Sequence, residues 1–229
     1  MTRILAIDTA TEACSVALQD GDKVYSRFEV CPQQHSQKLL PMVDEVLKEA
    51  GLELGELDCL AYGRGPGSFT GVRIATGMIQ GLALGSGLPV VGVSTLAAMA
   101  WEAAKASGAT MIYTAIDARM AEVYFASYRV TPEGLDPDVG EKVCPPEEAY
   151  SHCTESDAAL AGTGWAAYEV LSDFTANEKA QVSVLYPAAE AMLPLAKMTF
   201  LRNEAVAAVD VEPVYLRDKV TWKKLPGRE

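Results

Sequence analysis

The stretch Ile4-Leu5-Ala6-Ile7-Asp8-Thr9-Ala10-Thr11-Glu12-Ala13-Cys14-Ser15-Val16-Ala17-Leu18 decides the architecture. A short apolar run of β type closes on an aspartate, a hydroxyl-rich turn follows, and a second apolar strand leaves it. Asp20-Gly21-Asp22 is a hairpin turn, and Lys23 to Val30 resumes as an alternating strand. The chain therefore opens as a three-stranded meander. The opening returns later, where Met111-Ile112-Tyr113-Thr114-Ala115-Ile116-Asp117 again closes on an aspartate and Val123 to Val130 leads away. Two halves that begin as strand–Asp–turn–strand suggest two related lobes.

Between these openings the period changes. Leu39, Leu40, Met42, Val43, Val46 and Leu47 recur at helical spacing, and Gly51 supplies the stop. Leu57 to Tyr62 reads as a strand that enters the densest loop signal, Gly63-Arg64-Gly65-Pro66-Gly67-Ser68-Phe69-Thr70-Gly71. A helix from Val72 to about Leu84, a strand from Pro89 to Val93 and a helix from Ser94 to Lys105 follow. Ser107-Gly108 is the expected boundary, giving lobes over 1–107 and 108–229. In the second lobe Leu160 to Trp165 reads as a strand entering a glycine turn. The last long helix, Ala188 to Arg202, is one that can return to the first lobe. A basic tail holds Lys219, Lys223, Lys224 and Arg228.

Composition narrows the function. Of 229 residues, 49% are hydrophobic and 22% charged, which is the balance of a globular chain with a real core. Lys and Arg number 19 against 31 Asp and Glu, a net charge of −12. Phosphate backbones are bound by releasing counterions to Lys and Arg, so such a chain is a poor stand-alone RNA binder. It serves an RNA enzyme only where another subunit holds the RNA. Cys14, Cys31, Cys59, Cys144 and Cys153 are an odd set without C-x-x-C, which argues against disulfides and a structural zinc. The apolar run after Met-Thr-Arg is too short for a signal peptide. A cytoplasmic protein without a membrane span is expected.

Five segments then fall in order: Ile7 to Thr11, Tyr62 to Arg73, Gly92-Val93-Ser94-Thr95, Ile116 to Met120, and Glu212-Pro213-Val214-Tyr215-Leu216-Arg217. Together they resemble the TsaB (YeaZ) family over nearly the whole chain. The resemblance implies an α/β fold with mixed sheets, the actin-like, Hsp70-like ATPase fold of two related lobes. It also implies a part in making threonylcarbamoyladenosine beside the anticodon of tRNAs that read A-starting codons. In that system TsaD transfers the threonylcarbamoyl group, TsaB is its non-catalytic partner, and TsaE is an additional ATPase of a larger complex.

Actin-like ATPases follow the strand-end Asp with Gly and a hydroxyl residue, so that backbone N–H groups approach a phosphate. Here Ala10 stands in the first turn and Ala118 in the second, which keeps Asp8 and Asp117 but loses the permissive backbone. An ATPase or kinase using these two acids is the alternative reading. Asp8, Thr11, Arg64 and Arg73 are the candidate nucleotide or anion contacts, with Thr70 a possible cap of the next helix. Equally open is a pairing of the two arginines with acids of this chain. No metal or cofactor is expected: the helix from Ser94 to Glu102 has no histidine, and His35 and His152 read as surface or cap residues. Ser68 fits no nucleophile elbow, so a peptidase is disfavoured.

A partner surface is better marked. Gly77, Gly81 and Gly85 recur four residues apart on one helix face, each costing about 1 kcal/mol of helix propensity relative to Ala. Such glycines suit another backbone coming close. Ile74, Met78 and Leu82 flank them, and Leu39, Met42, Val43 and Val46 offer a second apolar stripe. The expected occupant is TsaD or a second copy of the chain. Packing of both helices on their own sheet is the competing reading.

Overall fold

The computed structural model describes residues 2–132, 134–177 and 182–217. Strands β1 (Arg3–Asp8), β2 (Ala13–Asp20) and β3 (Lys23–Val30) form the expected antiparallel meander. Strands β4 (Cys59–Gly65) and β5 (Val90–Ser94) add in parallel on the far side of β1, giving the order β3-β2-β1-β4-β5. A second sheet holds β6 (Met111–Arg119), β7 (Glu122–Thr131), β8 (Gly134–Cys144), β9 (Ala159–Ala161) and β10 (Val182–Val184). Its order, β10-β9-β6-β7-β8, repeats the first with the same parallel and antiparallel pairings.

The helices are α1 (His35–Ala50), α2 (Phe69–Ser86), α3 (Thr95–Ser107), α4 (Pro146–Ser151), α5 (Gly164–Ala167), α6 (Glu169–Asn177) and α7 (Ala189–Leu201). Period-two alternation assigns them to faces. Along β1, Leu5 and Ile7 pack with Leu39, Val43 and Val46 of α1 and Ala75 and Ile79 of α2. Ile4 and Ala6 point the other way, to Ala98 of α3 and Met192, Leu193 and Ala196 of α7. A strand covered on both faces has no polar side, which is why β1 reads as a continuous apolar run. In the second sheet, Tyr113 and Phe125 join Trp165 and Leu171, while Ile112 and Ala126 face Leu96, Met99 and Ala103 of α3. Helix α3 thus lies between the two sheets, and α7 returns from the second half to the first sheet.

Three expectations need correction. The sequence reading assigns no element to Gly134–Cys144, where Pro137, Gly140 and three acids break the alternation. As β8 is an edge strand, it tolerates the proline and the charges. Helix α2 begins at Phe69, not Val72, and its cap is Ser68, whose Oγ accepts the Gly71 N–H; Thr70 lies inside the first turn. His35 is not a surface residue: it opens α1 and is buried. The basic tail, Lys219 to Arg228, lies outside the described residues.

Candidate functional site

The acidic strand ends meet different fates. Asp8 is wholly buried; its Oδ1 accepts the Ala10 N–H at 2.9 Å, and its Oδ2 has no hydrogen-bond partner among the described residues. Burial pushes its carboxyl up to about 7, only partly opposed by that N–H. Asp117 is fully engaged. Its Oδ1 accepts the Arg119 N–H at 2.9 Å and the Tyr168 hydroxyl at 2.8 Å, and its Oδ2 accepts the Arg119 guanidinium at 2.7 Å. Asp8 faces no open position, and Asp117, although it borders a cleft, has both oxygens engaged within the chain.

The glycine loop is built against the first turn. A β-carbon on Gly67 would overlap the Ala10 carbonyl, and one on Gly71 the Thr9 carbonyl. Ser68 N–H donates to the Ala10 carbonyl at 2.7 Å, and Thr9 Oγ1 donates to the Gly71 carbonyl at 2.7 Å. The loop is glycine-rich because two backbone turns touch there. Its Ser68 and Gly71 N–H groups are spent on the chain's own oxygens.

The four anion candidates are not brought together. Thr11 lines a cleft of about 500 Å³ that also takes in Glu12, His35, Asp117, Arg119 and Arg217, while Asp8 does not line it. Arg64 faces a different cleft and pairs with Glu141 at 2.9 Å, the intrachain pairing that the sequence left open. Arg73 projects outward, its guanidinium 3.6 Å from the centre of the Phe69 ring and its Nε donating to the Tyr215 hydroxyl at 2.7 Å.

Sequence reasoning missed the ion pairs that close the first cleft. Arg119 reaches Glu12 across it at 3.3 Å. Arg217 donates to Glu122 at 2.6 Å and to the Ala118 and Arg119 carbonyls at 3.0 and 3.3 Å. The segment that carries Arg217 is laid over the first lobe: Tyr62 Oη donates to the Glu212 carbonyl, and Val214 N–H to the Arg64 carbonyl, both at 2.7 Å. The only sequence signal was that both arginines stand inside recognisable segments. Among the described residues, no three His, Cys, Asp or Glu side chains gather as metal ligands would, and no helix is long and apolar enough to cross a membrane.

The partner stripe divides in two. Leu39, Met42, Val43 and Val46 are buried in the core of their own sheet, so α1 does not offer them to another chain. Gly77, Gly81 and Gly85 are exposed, and a β-carbon on any of them would meet nothing within 4 Å. Ile74, Met78 and Leu82 flank them half-buried, and Leu84 beside them is 67% exposed. Gly77, Gly81 and Gly85, unlike Gly71 at the start of the same helix, therefore serve no close contact inside this chain.

Comparison with known proteins places the chain. A family model described as TsaD, tRNA N6-adenosine threonylcarbamoyltransferase, matches residues 28–225. The tRNA threonylcarbamoyladenosine biosynthesis protein TsaB of Escherichia coli K12 is 50% identical, over 99% of this chain and 100% of that protein. TsaB of Haemophilus influenzae is 46% identical, over 99% of this chain and 98% of that protein. The solved structure of YeaZ from Pseudomonas aeruginosa superposes with a TM-score of 0.81 at 42% identity, covering 93% of this chain and all of that one. With two mixed sheets of repeated actin-like topology and this degree of likeness, the chain belongs to the TsaB family.

Proposed function

We propose that this chain is the non-catalytic partner subunit that a TsaD-type protein requires for transfer of threonylcarbamoyl to tRNA. The observation that carries the reading is the outer face of α2, where three helix-interior glycines border open space. Each forgoes about 1 kcal/mol of helix stability, and no contact within the chain compensates. A closely approaching helix of another chain would. Ile74, Met78, Leu82 and Leu84 supply the apolar margin of the contact.

The lobes 1–107 and 108–229 divide the work: the first carries the partner face, and the second holds to the first through Arg119, which reaches Glu12, and through Glu212 and Val214, which bond to Tyr62 and Arg64. TsaE joins as part of a larger complex, and the same face serves self-pairing when TsaD is absent. The acidic chain leaves tRNA to its partner and meets it indirectly. Five unpaired cysteines suit the reducing cytoplasm. Asp8, sealed beneath the first turn, and Asp117, held by Arg119 and Tyr168, are structural acids.

Co-purification of the chain with TsaD, with Gly81→Leu as the variant, tests the proposal. Wild type pairs and supports transfer; Gly81→Leu keeps the fold and loses both. Pairing that survives the substitution overturns the interface. Calorimetry with magnesium and ATP tests the enzymatic alternative: tight binding with turnover lost in Asp8→Ala would replace the subunit reading by an ATPase.

A further inference from the structure

Cys14 and Cys31 are free thiols held side by side. On the β2–β3 ladder Cys14 stands opposite Glu29, and the Cys31 N–H donates to the Glu12 carbonyl at 3.0 Å. The two cysteines are therefore diagonal neighbours across the strands. Both side chains enter the core that holds Leu39 and Val43, and they are 0% and 3% exposed. There the Cys14 thiol donates to the Cys31 sulfur. Cys59, Cys144 and Cys153 feel no neighbouring thiol.

The two sulfurs are not equivalent. Burial pushes the Cys14 thiol up to about 12, with Cys31 and Asp8 adding to the rise. Burial and Glu29 also push Cys31 up, but the Lys38 ammonium and the S–H and N–H of Cys14 pull it back. A cation and a donating thiol favour the thiolate at one member of a pair. Cys31 also lies nearer to solvent. It is covered by a turn in which Gln33 holds a left-handed φ of 66° without being glycine, and Pro32 and Gln33 line the cleft of about 500 Å³. The turn is closed by the Gln34 N–H donating to the Cys31 carbonyl at 3.0 Å, and it belongs to neither strand nor helix. Local opening there costs little.

We propose that Cys14 and Cys31 close to a reversible disulfide when the chain meets a peroxide, Cys31 reacting first and Cys14 resolving it. In the first step the Cys31 sulfur attacks a peroxide oxygen. An S–O bond forms, the O–O bond breaks, and the departing hydroxide takes the thiol's proton as water. In the second step the Cys14 sulfur attacks the Cys31 sulfenic acid. The S–S bond forms, the S–O bond breaks, and a second water carries off the Cys14 proton. The two thiols lose two electrons and the peroxide gains them. A dithiol reverses the link. Closed, it staples β2 to the approach to α1 along one wall of the cleft.

Treatment of the full chain with excess hydrogen peroxide, followed by unfolding, alkylation and peptide mapping, tests the proposal. The five alkylatable thiols fall to three, the Cys14 and Cys31 peptides appear joined and lighter by two hydrogens, and dithiothreitol restores all five. The oxidised chain melts at a higher midpoint than the reduced chain, since the link constrains the unfolded state. In Cys14→Ala, dimedone traps a sulfenic acid at Cys31, whereas Cys31→Ala leaves Cys14 unlabelled. Half-exposed Met120 gauges the dose in the same digest. The proposal is overturned if Met120 becomes its sulfoxide while Cys14 and Cys31 stay free, or if another pair of cysteines is joined instead. Dimedone on Cys14 rather than Cys31, or a lower midpoint on oxidation, overturns it equally.

Discussion

Gly63 lies directly beneath the carboxyl of Asp8, so that any β-carbon at position 63 would occupy the space of Oδ2. The strand β4 carries a glycine there because β1 ends in an acid with nowhere else to go. Oδ2 has no donor among the described residues, and a proton is its substitute.

Asp8→Asn should therefore stabilise the protein in a pH-dependent way. Burial raises the carboxyl from 3.8 to about 7, so the folded chain keeps a proton that the unfolded chain releases above about pH 4. The stability from this group is complete at low pH and is lost as pH rises to about 7. Asn does not titrate and retains an oxygen for the Ala10 N–H. Urea unfolding at pH 5 and pH 8 should show the Asn variant gaining about 3 kcal/mol on wild type across that interval. An equal difference at the two pH values would show that Asp8 is ionised when folded.

The glycines of α2 allow folding and pairing to be separated. Gly77→Ala, Gly81→Ala and Gly85→Ala add methyl groups into open space on an exposed helix face. Each should raise the stability of the isolated chain by about 1 kcal/mol. Combined, they should give a monomer of higher thermal midpoint that pairs less well with TsaD. Calorimetric melting and a pull-down on the same preparation read both effects.

The hairpin between β6 and β7 carries strain that substitution should relieve. Arg119, Met120 and Ala121 have φ of 61°, 58° and 60°, a left-handed run without a glycine. Arg119 pairs with Glu122, so Met120 and Ala121 are the two turn residues, the positions where Asn-Gly is favoured. Met120 is half exposed and gives up little packing. Met120→Asn with Ala121→Gly should stabilise by about 1–2 kcal/mol, read as a higher midpoint in thermal denaturation.

Arg217 should matter more than a surface arginine. It is largely covered and spreads its donors over Glu122 and two backbone carbonyls. Arg217→Ala removes the fork and strands Glu122, at a cost of about 2 kcal/mol in urea unfolding. Arg217→Lys should recover less than half of it, since an ammonium cannot span carboxylate and carbonyls together.

These features differ in how far the sequence disclosed them. The meander, its echo from Met111 and the glycine helix were legible because period two and period four are local patterns. Strand β8 was hidden by Pro137 and Gly140, which an edge strand accepts and a periodicity search does not. The inward turn of Leu39 and Val46 follows from how α1 docks on its sheet, and spacing alone does not give the docking. The contact of Arg217 with Glu122 joins positions 95 apart, and only the folded path of the C-terminal segment brings them together.

Helix α3 contributes Ala98 to one core and Leu96, Met99, Ala100 and Ala103 to another. Jaws that swing about a hinge would have to tear it from one side at each stroke, losing well-packed methyl groups every time. The molecule is accordingly a welded frame. Whatever it conveys to a companion travels as a fixed contour held out for docking, with no opening and shutting of its own.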